Sequence, residues 1–268
     1  MIVYNNIENG ITEVYLGNKS IAQVYIGSNK VFPSDVPPTP TGGTKFYAEY
    51  NDSTTLSVEC DSDSTLRTGT TLNGGYAKYS GMTSAVVGDC ITTFNSGVFN
   101  SCRSLTSVTL SDSVTKLGGG TFRYCISLTS VGVKGSGASV EIPSGVTSFS
   151  YGGEFEGCSG ITSVTIGNQI TEIGYGTFSD CTSLTNIDIP SSVTGIDAYA
   201  FNNCTNLKSV TVNATVPPSS FGVTSNWNAF DNTNNCPIYV PDASVSKFKT
   251  ADGWNKYSLR IKPISQKP

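Results

Sequence analysis

Residues 177–212, TFSDCTSLTNIDIPSSVTGIDAYAFNNCTNLKSVTV, state almost the same phrase twice. Phe178 and Phe201 are each followed by a cysteine, Cys181 and Cys204, and then by Leu184 and Leu207. Each leucine opens a run that ends in alternating apolar residues. Followed outward, the register holds on both sides. Cys102 to Cys125, Cys158 to Cys181 and Cys181 to Cys204 are each 23 residues apart, whereas Cys125 to Cys158 is 33. That exception is one period plus a ten-residue insertion around KGSGASVE. Phe99, Phe122, Phe155, Phe178 and Phe201 form one column, and Leu105, Leu128, Ile161, Leu184 and Leu207 another. Val108, Val131, Val164, Ile187 and Val210 follow, then Leu110, Val133, Ile166, Ile189 and Val212. A weaker unit precedes them, with Met82 and Ala85 in the Leu and Val columns. A fixed period of roughly 20–29 residues is the signature of a solenoid.

Within each unit the alternation predicts a short strand with one buried face. The segments DSVTKL, NQITEI and SSVTGI supply a second apolar pair. AYAFNNC is too short for a free helix and predicts a single turn at the edge of the coil. One coil alone buries too little apolar surface to offset the entropy of ordering it, so stacking must supply the rest.

SLTSVTLSDSVTKLGGGTFRYC and SLTNIDIPSSVTGIDAYAFNNC resemble the BspA-like leucine-rich repeat, a 23-residue variant found in anaerobic gut bacteria, some protists and bacterial phages. The resemblance covers about Gly81 to Val212. AFDNTNNCPIYVPDASVSKFKTADGWNKYSLRIKPI is similar to the closing segment of many such proteins. The KGSGASVE loop and the degenerate first unit depart from the pattern. The resemblance implies a mainly β fold, a leucine-rich-repeat solenoid over residues 81–214, and recognition of surfaces rather than catalysis.

The flanks have their own signals. ITEVYLGNKS is echoed by IAQVYIGSNK, so Val14, Tyr15 and Leu16 return as Val24, Tyr25 and Ile26, with Val31 and Phe32 closing the segment. Gly17-Asn18 and Gly27-Ser28-Asn29 supply turns, and a three-strand β-meander is expected over residues 1–32. So small a sheet needs a partner or a homo-oligomer to be stable. PSDVPPTPTGG makes residues 33–44 an extended linker. KFYAEYNDSTTLSVEC alternates as two strands around Asn51-Asp52, predicting an N-terminal β cap over 45–80. In the C-terminal cap, 215–268, PDASVSKF signals a short helix whose Val245 and Phe248 share a face with Trp254, Tyr257 and Ile261 over the last coil. The meander also resembles N-terminal segments of phage and prophage structural proteins. That resemblance implies that Val14 to Phe32 dock on a phage capsid or tail protein.

The chain has no histidine, which removes the commonest general base and metal ligand. Charged residues are 13 %, the net charge is -4, and no basic run exists to engage nucleic acid or an anionic membrane. The start MIVYNNIENGITEVYLG lacks a signal-peptide pattern, and no stretch reaches the ~18 apolar residues of a membrane span. Eight cysteines without C-x-x-C spacing argue against a metal site. They are read as a ladder of buried thiols, with disulfide pairing the alternative: stacked Cα atoms lie ~4.7–4.9 Å apart, but parallel Cβ vectors oppose the bond. Glu154, Glu156, Glu172, Asp180, Asp188 and Asp197 are read as solvated surface, since a glycosidase needs two facing carboxylates in a cleft. Gly118-Gly119-Gly120 lacks the Lys-Ser/Thr of a phosphate loop and is read as a tight turn.

The outward strand positions are the candidate ligand-binding residues: Ser107, Thr109, Ser163, Thr165, Asn186, Asp188, Ser209 and Thr211. Tyr124, Tyr151, Tyr175 and Tyr199 at the coil edges are positioned to stack on glycan rings. The expected function is a non-catalytic phage structural or decoration protein, a head fibre or tail appendage, adhering to a host surface protein or glycan. Such a protein is made in the host cytoplasm and carried in the virion, with no cofactor, metal or membrane insertion. The alternative is a bacterial cell-surface or secreted leucine-rich-repeat adhesin.

Overall fold

The computed structural model describes residues 81–87, 92–133, 140–149, 152–219 and 229–268, with the backbone of five strands before them. These residues build a mainly β solenoid of about seven turns, with one short C-terminal helix.

Each turn has three sides. On the first lie parallel strands, among them Ser107–Leu110 and Ser130–Val133, then Asn186–Ile189 and Ser209–Val212. Their in-register pairing, Val108 to Val131 and Ile187 to Val210, is the 23-residue spacing turned into a ladder. Alternation points Val108, Leu110, Ile187 and Ile189 inward, where they are buried. The second side stacks Ser148–Phe149, Glu172–Ile173 and Gly195–Ile196, also parallel.

The third side carries the aromatic column. Phe99, Phe122, Phe155, Phe178, Phe201 and Phe230 stack with ring centroids 5.2–5.4 Å apart. The expected single turn is present, and it too is bonded from rung to rung: the Phe122 N–H reaches Glu154 O at 2.8 Å and Phe178 reaches Ala200 O at 2.8 Å. The residue two after each phenylalanine is left-handed, as Ser101, Tyr124, Gly157, Asp180, Asn203 and Asn232 all show. Asn, Asp and Gly take that conformation at little cost, which accounts for the NNC and SDC phrases.

Threonines fix the corners. The Thr106 hydroxyl donates to Thr83 O at 2.8 Å, Thr129 to Thr106 O at 3.1 Å, and Thr185 to Thr162 O at 3.3 Å. A second file does the same from Thr115 to Thr92 O and from Thr194 to Thr171 O. The repeat is rich in threonine because each hydroxyl satisfies a carbonyl one turn earlier.

The insertion adds a rung to one side only. Val140 bridges Val131 and Glu141 bridges Thr165, both in parallel. Val140-Glu141-Ile142 thus forms an extra layer on the strand side, while Phe122 and Phe155 still stack directly at 5.2 Å.

The ladder also runs beyond Ala214. Ile238–Val240 and Ile261–Pro263 continue it in parallel register. Helix Val245–Thr250 seats Phe248 against Trp254, centroids 4.9 Å apart. At the other end Lys45–Tyr50 runs antiparallel to both Thr55–Glu59 and Met82–Val87, so a hairpin covers the first parallel strand. Tyr25–Ile26 pairs antiparallel with Asn29–Lys30. Val14, Tyr15, Leu16, Val24, Val31 and Phe32 lie outside the described residues, as do Tyr151, Cys60 and Cys90.

Two expectations about side chains resolve differently. The six described cysteines are free and buried. Glu154 is not solvated surface but fully buried. It stands in the column of Thr121 and Thr177, directly before the phenylalanine, and accepts from the Gly152 N–H at 3.1 Å and the Thr177 hydroxyl at 3.3 Å.

Candidate recognition surface

The strand side presents its outward residues in ranks. Ser107 lies beside Ser130, Asn186 beside Ser209 and Asp188 beside Thr211. Ser163, Thr165, Asn186 and Asp188 are exposed, and Ser107, Thr109 and Ser209 half-buried. The Ser209 hydroxyl donates to Asn186 Oδ1 at 2.9 Å, so neighbouring rungs also bond laterally.

Thr211 departs from this pattern. It is buried, and Lys267 Nζ donates to its hydroxyl at 2.8 Å and to Asp188 Oδ1 at 3.2 Å. The C-terminal segment therefore crosses the face and closes it past Asp188. Glu141 is an addition: the extra rung places it in the outward file between Gly132 and Thr165. The signal for it was the Val-x-Ile spacing of Val140 and Ile142 just before PSGVTSF, an echo of Leu110 and its followers.

The turn side forms a second polar edge. Arg123 NH2 meets Glu156 Oε1 at 2.7 Å, and its guanidinium lies 5.0 Å from the centre of the Tyr124 ring. The Tyr124 hydroxyl donates to the same Glu156 oxygen at 3.2 Å. The bond to Glu156 pushes the Arg123 pKa further up, so the guanidinium is charged at every relevant pH. Tyr175 and Tyr199 meet edge to face at 5.3 Å on the next two turns. A shallow polar hollow of about 300 Å³, lined by Thr205, Asn232, Asn234 and Asn235, lies apart from these groups.

The six described cysteines face the interior and take no part in either surface. The Cys125, Cys181 and Cys204 thiols donate to Phe99 O, Phe155 O and Phe178 O at 3.0, 3.3 and 3.1 Å. Burial pushes the Cys158, Cys181 and Cys204 thiols well above their ordinary pKa, and a hydrogen bond with Cys102 followed by burial does so for Cys125. Such thiols are inert. Among the described residues no group of three or more thiols and carboxylates is placed to hold a metal ion, and no helix is long and apolar enough to cross a membrane.

A 23-residue period, a phenylalanine stack, a thiol ladder and a parallel strand side define one repeat type. The BspA type leucine-rich repeat region, in six copies, matches residues 73–138 and 134–251. The chain belongs to this family. Solved leucine-rich repeat structures are similar to it. A leucine-rich repeat protein from Bacteroides ovatus ATCC 8483 is similar over 69 % of this chain at 24 % identity, with a TM-score of 0.51. This chain spans 43 % of that protein's length. A T. pallidum leucine-rich repeat protein is 21 % identical over 67 % of this chain and 85 % of its own, with a TM-score of 0.47. A leucine-rich cell surface protein from Faecalibacterium prausnitzii A2-165 is 22 % identical over 59 % of each chain, with a TM-score of 0.30. A comparison with curated proteins finds no match.

Proposed function

We propose that this BspA-type repeat protein is a non-catalytic adhesin, displayed on or secreted from a bacterial cell, that recognises an external surface through its strand side. The observation that carries this reading is the exposed file of Ser163, Thr165, Asn186 and Asp188 on successive turns of the solenoid. Each rung offers a weak polar contact, and repetition multiplies them against a repetitive target. Membership of a family of binding scaffolds, in a chain without histidine, supports binding over turnover.

The test uses the full-length protein, fluorescently labelled, titrated on bacterial cells and on mucin-coated surfaces. Saturable binding that is lost in the Thr165→Arg, Asn186→Arg double variant is the expected result. Unsaturable binding, or equal binding by the variant, sinks the strand-side reading.

A second reading, favoured by the Tyr25–Ile26 to Asn29–Lys30 pairing inside the VYLG/VYIG echo, is a virion accessory protein. In that case residues 14–32 dock on a capsid or tail protein and the same repeat side faces the host. Mass spectrometry of purified particles decides it: the full chain is present, and a chain lacking residues 1–32 is absent. Absence of the full chain from particles ends this second reading.

A further inference from the structure

Among the described residues, only one of the Glu156 carboxylate oxygens has a hydrogen-bond partner. Oε1 takes both the Arg123 and the Tyr124 bonds, at 2.7 and 3.2 Å. Oε2 instead stands over bare backbone, 3.1 Å from where a Cβ on Gly153 would lie and 3.9 Å from one on Gly176. Tyr175 flanks the same strip: its backbone oxygen and Cβ are 2.8 and 3.5 Å from the Cβ position of Gly152. Its ring meets that of Tyr199 at 65°, and the residue is 54 % exposed. An oriented carboxylate oxygen and an exposed tyrosine thus lie on one edge on successive turns.

The chemistry of this edge selects its ligand. The strip's own N–H groups are spent: Gly152 on Glu154 Oε1, Gly153 on Tyr175 O and Gly176 on Ala198 O. A peptide strand would find no backbone donors there to pair with. An anion would meet the Glu156 carboxylate, and Asp180 and Asp197 on the neighbouring turns, while Arg123 beside them already donates NH2 to Glu156 Oε1. A neutral sugar carries what the edge lacks. Its hydroxyls donate to Glu156 Oε2, a charge-assisted bond. Its apolar C–H face covers the Tyr175 ring, whose π face carries negative charge.

We infer that the turn edge of Tyr175, Tyr199 and Glu156 is a binding site for neutral glycans, distinct from the strand side. The inference rests on the recognition role proposed above and gives it a ligand class. Arg123 and Tyr124 are positioning residues: they hold the Glu156 carboxylate so that its second oxygen faces the strip.

The experiment is calorimetric titration of the full-length protein with neutral oligosaccharides of glucose, mannose and N-acetylglucosamine, and with oligogalacturonate as the anionic comparison. At least one neutral probe binds, and the anionic one binds more weakly. Tyr175→Ala and Glu156→Gln each weaken neutral binding about tenfold, as expected for losing a charge-assisted contact or a stacking platform. Tyr175→Phe stays within about twofold, because it keeps the ring. Tyr175 is a surface residue, so thermal unfolding of its variants confirms an intact fold. No neutral binding at millimolar probe overturns the site, and so does binding indifferent to both Tyr175→Ala and Glu156→Gln. Glycan binding retained in the Thr165→Arg, Asn186→Arg variant, with adhesion lost, supports two separate surfaces. Glycan binding lost in that variant moves the ligand to the strand side and overturns the assignment to this edge.

Discussion

The thiol of Cys158 donates to the carbonyl oxygen of Phe122, 2.9 Å away, across the ten-residue insertion between Cys125 and Cys158. The same contact joins Cys125 to Phe99 and Cys181 to Phe155, where the period is intact. The insertion is therefore absorbed wholly on the strand side. The aromatic and thiol columns run on through it as a spine, and the strand side and turn edge are built on turns whose spacing that spine sets.

The spine makes stability fall at alkaline pH. Folding holds the Cys125, Cys158, Cys181 and Cys204 thiols protonated, so the unfolded chain ionises first. Their contribution is whole below the ordinary thiol pKa of ~8.5 and is lost progressively as pH rises above it. Each thiol then removes about 1.4 kcal/mol per pH unit. Urea midpoints under reducing conditions should be level from pH 7 to about 8 and decline by pH 10. Cys181→Ala should have the shallower decline, and identical slopes for the two proteins would show that the thiols are not responsible.

Inward and outward columns should differ sharply on truncation. Leu184 is fully buried and Thr165 exposed. Leu184→Ala should cost roughly 2–5 kcal/mol by opening a cavity. Thr165→Ala should change the urea midpoint little, since the ladder bond at this position comes from its backbone N–H to Val140 O. Comparable losses from both would contradict the assignment of faces.

Much of this fold was legible because columns of one residue type recur at a constant interval, and each column has one job. What was not legible breaks that regularity. The extra rung looked like a loop, because period arithmetic counts ten surplus residues but not that Val140 returns parallel to Val131. The continuation through Ile238 and Ile261 was hidden because the cysteine interval lapses after Cys204. Glu154 looked like surface because its residue type outweighed its place in a threonine column. On the candidate surface, Ser163, Thr165 and Asn186 are exposed as the alternation predicted. Thr211 is covered by Lys267, a contact 56 residues away that no local pattern encodes.

Gly157 couples the turn edge to the backbone. It is left-handed at φ 73°, and an added Cβ would fall 2.4 Å from Tyr124 Cδ1. Tyr124, Asp180 and Asn203 tolerate the same backbone on other turns, so conformation alone is a modest cost. Gly157→Ala should destabilise by roughly 1–3 kcal/mol, because the Tyr124 ring must swing off Arg123 and Glu156. Tyr124→Ala should relieve part of that loss, and a double-mutant cycle measures the coupling. Strict additivity would mean that the ring is not the obstacle.

Arg260 closes the last turn. Phe99 O and Phe178 O accept thiols from the following turn, whereas Phe230 O accepts Arg260 NH1 at 3.0 Å. The same guanidinium reaches Cys236 O at 2.8 Å and the Thr233 hydroxyl at 2.7 Å, and its carbon lies 5.1 Å from the Tyr257 ring centre. It thus satisfies carbonyls that another rung would otherwise take. Arg260→Ala should cost roughly 2–3 kcal/mol by stripping charged donors from buried acceptors. Arg260→Lys should recover little, because one ammonium cannot reproduce the planar fork. The loss should be local first. Amide exchange should quicken in 229–263 before it does at Phe122 or Phe155, since a solenoid frays from an uncapped end. Uniform quickening along the whole rod would mean that Arg260 acts on global stability rather than as a cap.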